Sequence, residues 1–262
     1  WPVWRASDRR NALIPLLLVA FAAADAGFLL AASGVLPASP QRLLLCGLLV
    51  VAGFITVIGL RVIPFFTHRA MERPQVAHPR WAGRIAMLAP LALAALTALG
   101  SGSPAALVAG LAGMVFNLVL LGLNVQKGVL QHPLLWILFA GYALTAIGLG
   151  LAGAALAFAP ALLAAAVHLI AVGGICVLTP GMMTRTALGH TGRPLRLPGS
   201  MLPAYALMLL AALLRVAAAW PGGTLAAPLL HAAGGAFALS LLLFVVGYGR
   251  WLLSSRADGL PG

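Results

Sequence analysis

The stretch LLLCGLLVVAGFITVIGLRVIPFF, residues 43–66, decides the fold class. Between Arg42 and Arg61 it carries no charged side chain, and it is as long as the roughly 20 residues an α-helix needs to cross the hydrocarbon core of a bilayer. In lipid no water meets the backbone N–H and C=O groups, so such a run satisfies them within its own helix. Seven further runs of the same kind occupy residues 12–32, 82–99, 104–124, 134–157, 160–184, 201–220 and 226–252. The links between them are short and punctuated by Pro and Gly, as in Pro221-Gly222-Gly223. The sequence therefore predicts an all-α fold: a polytopic transmembrane helical bundle of about eight spanning helices, in a single transmembrane domain over residues 1–262.

Composition agrees. Of 262 residues, 62% are hydrophobic and 8% charged, against roughly 25% charged in a soluble domain. The abundant Gly and Ala would weaken a water-borne core, but in a membrane they let helix backbones approach closely. The net charge of +12 reads as topology. Arg5, Arg9 and Arg10 precede the first run. Arg69, Arg73, Arg80 and Arg84 follow the second, Lys127 the fourth, Arg185, Arg193 and Arg196 the sixth, and Arg250 and Arg256 the last. With eight helices all of these fall on one side, and Arg42 and Arg215 fall on the other. The asymmetry predicts both termini in the cytoplasm. A nucleic-acid partner is excluded because no soluble basic domain exists to carry it. Cys46 and Cys176 sit inside apolar runs and form neither a zinc pattern nor a disulfide framework. Trp81, Trp136, Trp220 and Trp251 fall near run ends, as interface belts do.

Polar groups at membrane depth are costly and mark candidate sites. Arg61 precedes Pro64, which removes a backbone donor and is expected to break or kink its helix. There Arg61 either binds an anionic group or snorkels to the interface. His168 is either an iron or copper ligand or a core histidine bonded to a neighbouring helix. Asp25 alone suggests a proton or cation site. Asn117, Asn124 and Gln126 offer hydrogen bonds across helices. The tract Thr179-Pro180-Gly181-Met182-Met183-Thr184-Arg185, followed by Leu188-Gly189-His190-Thr191-Gly192-Arg193-Pro194, pairs soft sulfur ligands with an imidazole, a set that suits copper. Apolar packing at a helix end is the alternative for Met182 and Met183, and His190 reads as a loop residue. His168 lies about 20 Å along the axis from Met182, so two metals would need two sites. Among His68, His78, His132 and His231, the better ligand candidates are His68, just after Pro64, and His231.

Three tracts carry a resemblance. Gly59-Leu60-Arg61-Val62-Ile63-Pro64-Phe65-Phe66-Thr67 resembles the GRVIPFFT signature of the NnrS family. His132-Pro133-Leu134-Leu135-Trp136 resembles its PLLW segment, and the block from His168 through Met182-Met183-Thr184-Arg185 to Leu195 resembles its HALT…GMM-R…LGHTGRPL block. The resemblance implies a haem- and copper-containing bacterial inner-membrane protein linked to nitric oxide metabolism and nitrosative-stress defence. It also implies further helices before residue 1, including a histidine-rich HAHEMLFG-like tract, so that this chain would be a C-terminal portion. Phe139 stands where family members often have His.

On that resemblance His168 is the expected haem ligand, and His190 with Met182 or Met183 the expected copper set. Arg61, Arg185 and Arg193 would face propionates or other polar groups. The expected partners are the lipid bilayer and nitric oxide or metal-nitrosyl species. Two rival readings are a transporter, suggested by helices broken at Pro64 and Pro180 together with Asp25, and an assembly partner of a respiratory complex.

Overall fold

The computed structural model describes residues 13–72, 74–100 and 103–259. Among these there is no strand, and eight helices are long and apolar enough to cross a membrane. They are α1 (Leu13–Ala32), α2 (Pro40–Met71), α3 (Arg80–Ala98), α4 (Pro104–Gly122), α5 (Pro133–Ala157), α6 (Pro160–His190), α7 (Gly199–Ala218) and α8 (Ala226–Leu252). Pro opens α2, α4, α5 and α6, where its missing N–H is one the helix start leaves unpaired anyway. The chain is thus a multi-pass membrane protein. Arg5, Arg9, Arg10 and Arg73 of the charge pattern lie outside the described residues.

Consecutive helices are neighbours, and α5 is the hub, packing on α2, α4 and α6. Small residues make this possible. A Cβ on Gly110 of α4 would stand 2.7 Å from the Gly153 Cα of α5, so the two backbones touch. Buried amides and hydroxyls tie the same layer. Asn117 of α4 donates to the Ala86 carbonyl of α3 at 3.2 Å and accepts from Tyr142 of α5. Asn124, by contrast, lies just beyond α4 and folds back on it, donating to the Leu120 carbonyl at 2.9 Å. Cys46 is buried against the Ala94 carbonyl as a small packing residue.

Several expectations need correction. Helix α2 does not stop at Pro64; it runs on to Met71, 32 residues in all, or about 48 Å at the α-helical rise. That exceeds the ~30 Å hydrocarbon core, so its last turns stand beyond it and Arg61 comes near the interface, where its side chain is exposed. Nor does α6 break at Pro180. Its irregularity lies earlier, in a π-helical segment, Leu169–Cys176, beginning one residue after His168. Helices broken at these prolines, the feature that suggested a transporter, are therefore not present. His190 is the last residue of α6 and not a loop residue. Asp25 is exposed on the outward face of α1 and has no hydrogen-bonding or ionic partner among the described residues.

Candidate functional site

The three tracts that carry the family resemblance converge on one side chain, Arg185, near the end of α6. Its guanidinium lies over the Phe66 ring of α2, 3.9 Å from the ring centroid. Its Nη2 donates to the Leu134 carbonyl, at the start of α5, at 3.1 Å. Only 9% of the residue is exposed, and its buried Nε has no hydrogen-bond partner. No carboxylate pairs with it among the described residues. A buried cation held by a ring face and one carbonyl is incompletely compensated.

Arg185 lines a cleft of about 960 Å³ at the basic end of the bundle. The charged and imidazole groups in its wall are His68, Arg69, Glu72, His132, Arg185 and Arg196. Each arrives for a local reason. The overlong α2 carries His68 and Arg69 past Pro64. His132 is the N-cap residue of α5. Arg196 follows the sharp stop of α6. In that stop, Thr191 is the C-cap and Gly192 adopts φ +67°, a left-handed conformation that glycine tolerates without strain. Gly192 N–H donates to the Gly189 carbonyl at 3.2 Å and Arg193 N–H to the Leu188 carbonyl at 2.9 Å, the Schellman pattern, with Pro194 barring continuation. The LGHTGRP tract is therefore a helix terminator. Arg193 turns away from the cleft: its guanidinium sits 4.6 Å from the Trp251 ring centroid of α8 and donates to the Thr191 carbonyl.

The remaining expected ligands do not gather. Met182 packs into the cluster around Leu135, Tyr142 and Tyr205, whereas its neighbour Met183 faces outward. His190 is exposed at the helix end, and its carbonyl accepts from Arg256 at 3.2 Å. No group of three or more His, Cys, Asp or Glu side chains is placed to hold a metal among the described residues. His168 lies seventeen residues before Arg185, about 25 Å along the helix axis, so the two cannot face one small group. His168 Nδ1 meets the Ala164 carbonyl at 2.6 Å, which makes Nδ1 the donor and leaves Nε2 as a bare acceptor. His231 on α8 does the same with the Ala227 carbonyl at 2.8 Å. Arg215, near the end of α7, is within electrostatic reach of His168.

Sequence reasoning singled out Arg185 and His68 and missed Arg69, His132 and Arg196 as members of one cleft. The signal was available: each stands at or just beyond a helix end on the basic side.

No curated protein and no solved structure matches the chain. The family model described as NnrS protein matches residues 1–256, and the chain belongs to the NnrS family.

Proposed function

We propose that this chain acts in nitric oxide metabolism and in protection against nitrosative stress, as a haem-bearing protein of the bacterial inner membrane with both termini in the cytoplasm. The observation that carries the reading is the family match along residues 1–256. The charge asymmetry supports the orientation, since Arg69, Arg80, Arg84, Lys127, Arg193, Arg196, Arg250 and Arg256 all lie in the end turns of helices or in the links beyond them, at one end.

The residues present fit haem better than copper. A proximal histidine suffices for haem iron, and a ligating imidazole characteristically donates its other ring N–H to a carbonyl or carboxylate. His168 meets that requirement through Ala164 and would hold the iron by Nε2, with Arg215 within electrostatic reach to supply positive charge to a propionate. When bound, haem would supply an iron centre able to take a diatomic ligand. Nitric oxide is small and apolar enough to reach it through a Gly- and Ala-rich interior. For copper the support is weaker: Met182 packs into the core, Met183 faces outward and His190 lies exposed at the helix end.

The test is a reduced-minus-oxidised and pyridine haemochrome spectrum, with copper analysis, on the purified chain and on His168→Ala. Stoichiometric haem that disappears in the variant is the expected result. A folded wild-type chain without haem, showing solute-dependent flux in vesicles, would move the assignment to a transporter; one with neither haem nor flux would point to an assembly partner of a respiratory complex.

A further inference from the structure

We propose that the cleft around Arg185 is a binding site for a phosphate group, carried on a molecule with an apolar body. The site is separate from His168, about 25 Å away along α6, and does not depend on a haem there.

Charge comes first. Arg69, Arg185 and Arg196 face one carboxylate, Glu72, which forms no ion pair among the described residues. Among the described residues no other carboxylate lines the cleft. The chain has four acidic residues in all: Asp8, Asp25 on α1, Glu72, and Asp258, which is bonded to Arg256 through both carboxylate oxygens. The cleft therefore carries a standing positive potential.

Arg185 supplies a second, independent observation. It is nine-tenths buried, yet its Nε is without a partner. Its plane is fixed on one side by Phe66 and at one corner by the Leu134 carbonyl, so the fork is already oriented. A fixed guanidinium fork matches the oxygens of a phosphate, and positioning it beforehand avoids the entropy of ordering a long side chain on binding.

Size and lining identify the body. About 960 Å³ is room for a molecule rather than a bare ion. Phe66, Leu134, Leu135, Leu195 and Leu197 provide apolar wall beside the arginines. The cleft is formed where α2 and α6 end and α5 begins, so a membrane-spanning bundle would present it toward the headgroup region. A phospholipid headgroup and a soluble phosphate compound share this chemistry.

The test uses the full chain in phosphatidylcholine nanodiscs. One arm titrates inorganic pyrophosphate. The other replaces part of the phosphatidylcholine with phosphatidylglycerol, with lipid retention read by native mass spectrometry. Both arms follow thermal stability. Arg185→Lys keeps a charge and loses the fork; since Arg185 also supports packing, Arg69→Gln with Arg196→Gln, both at exposed positions, gives a variant that leaves the core untouched. Arg250→Gln, at the same end on α8 and outside the cleft, is the control. The expected result is binding in at least one arm, weakened about tenfold or more in the double variant and unchanged in the control. Response to the lipid alone or to pyrophosphate alone names the source. No binding in either arm, or equal weakening by Arg250→Gln, would overturn the proposal. So would loss of haem from the double variant with phosphate binding intact, which would assign these arginines to haem propionates.

Discussion

The Tyr142 hydroxyl donates to the Asn117 side-chain oxygen at 2.5 Å, and both residues are almost fully buried. The Asn117 amide in turn donates to the Gly113 carbonyl at 2.7 Å and the Ala86 carbonyl at 3.2 Å. One amide thus joins α3, α4 and α5, using the oxygen and both hydrogens it has to offer. The Tyr142 ring fills the space beside Gly59 of α2, where any side chain would overlap it. The network therefore also sets how closely α2 approaches the hub, just before the segment that carries Phe66 to Arg185.

Asn117→Ala strands the Tyr142 hydroxyl and frees the Ala86 carbonyl. Hydrogen bonds between membrane helices are worth about 0.6 kcal/mol on average and up to about 1.7. A loss of about 1–3 kcal/mol is expected, with about 1 kcal/mol for Tyr142→Phe. A double-mutant cycle by reversible unfolding in detergent measures the coupling. Additive single effects would show that the two groups do not act on each other.

Gly110→Ala tests the backbone contact with Gly153. The added methyl would stand 2.7 Å from the Gly153 Cα, and backbone cannot swing aside as a flexible side chain can. A destabilisation of about 1–3 kcal/mol is expected from overpacking. Gly234→Ala on α8 is the counterpart, since nothing lies within 4 Å of its Cβ position. There the higher helix propensity of alanine should leave stability unchanged or raise it by up to about 1 kcal/mol. Thermal melts of both variants decide the matter. Equal effects at the two positions would mean that α4 and α5 are not in backbone contact.

Hydropathy and charge made the eight helices legible because bilayer thickness and the cost of burying charge act on every spanning run alike. Residues 43–66 show where that logic ends. Pro64 and the basic residues after it read as a boundary, yet the helix continues to Met71, because beyond the hydrocarbon core charged side chains no longer oppose helix. His190 was misread for a different reason. Gly189 and Gly192 bracket it, and flexibility was inferred where Gly192 alone serves as the left-handed terminator. The cleft itself was out of reach. Phe66, Leu134 and Arg185 come from three distant segments, and no periodicity within one run reports which helices α5 will touch. The placing of the two methionines was equally hard to read: Met182 and Met183 are adjacent in sequence, and adjacent residues on a helix point in different directions.

Gly192→Ala should shorten or fray α6. A residue with a Cβ in the left-handed region costs about 1–2 kcal/mol, and the Asp258 side chain already occupies the space beside Gly192. The segment after α8 depends on the same stop: Ala257 N–H donates to the Thr191 carbonyl at 3.0 Å and Arg256 to the His190 carbonyl at 3.2 Å. Hydrogen exchange should therefore speed up at Ala257 as well as at Thr191, Gly192 and Arg193. In Arg256→Gln the faster exchange should be confined to residues 254–259, with the melting temperature unchanged. Faster exchange throughout α6 in Arg256→Gln would show that the C-terminal segment, rather than the glycine cap, ends the helix.

Arg193→Ala separates the two arginines that flank this stop. Arg193 and Arg185 were expected to serve one role, but Arg193 stacks on Trp251 and bonds to Thr191, whereas Arg185 stacks on Phe66 and faces the cleft. Losing a partly exposed cation–π contact and a carbonyl hydrogen bond is expected to cost about 1–2 kcal/mol. The tryptophan emission should change, because the charge over the Trp251 indole is gone. If haem binds at His168 as proposed, its content should stay at the wild-type level, since neither Arg193 contact lies at the His168 end of α6. Arg185→Lys should do the reverse in the cleft, lowering phosphate affinity while leaving the Trp251 environment as it was. A variant of Arg193 that lost haem stoichiometrically with normal folding would return that residue to a cofactor role and place the haem at the basic end of the bundle instead.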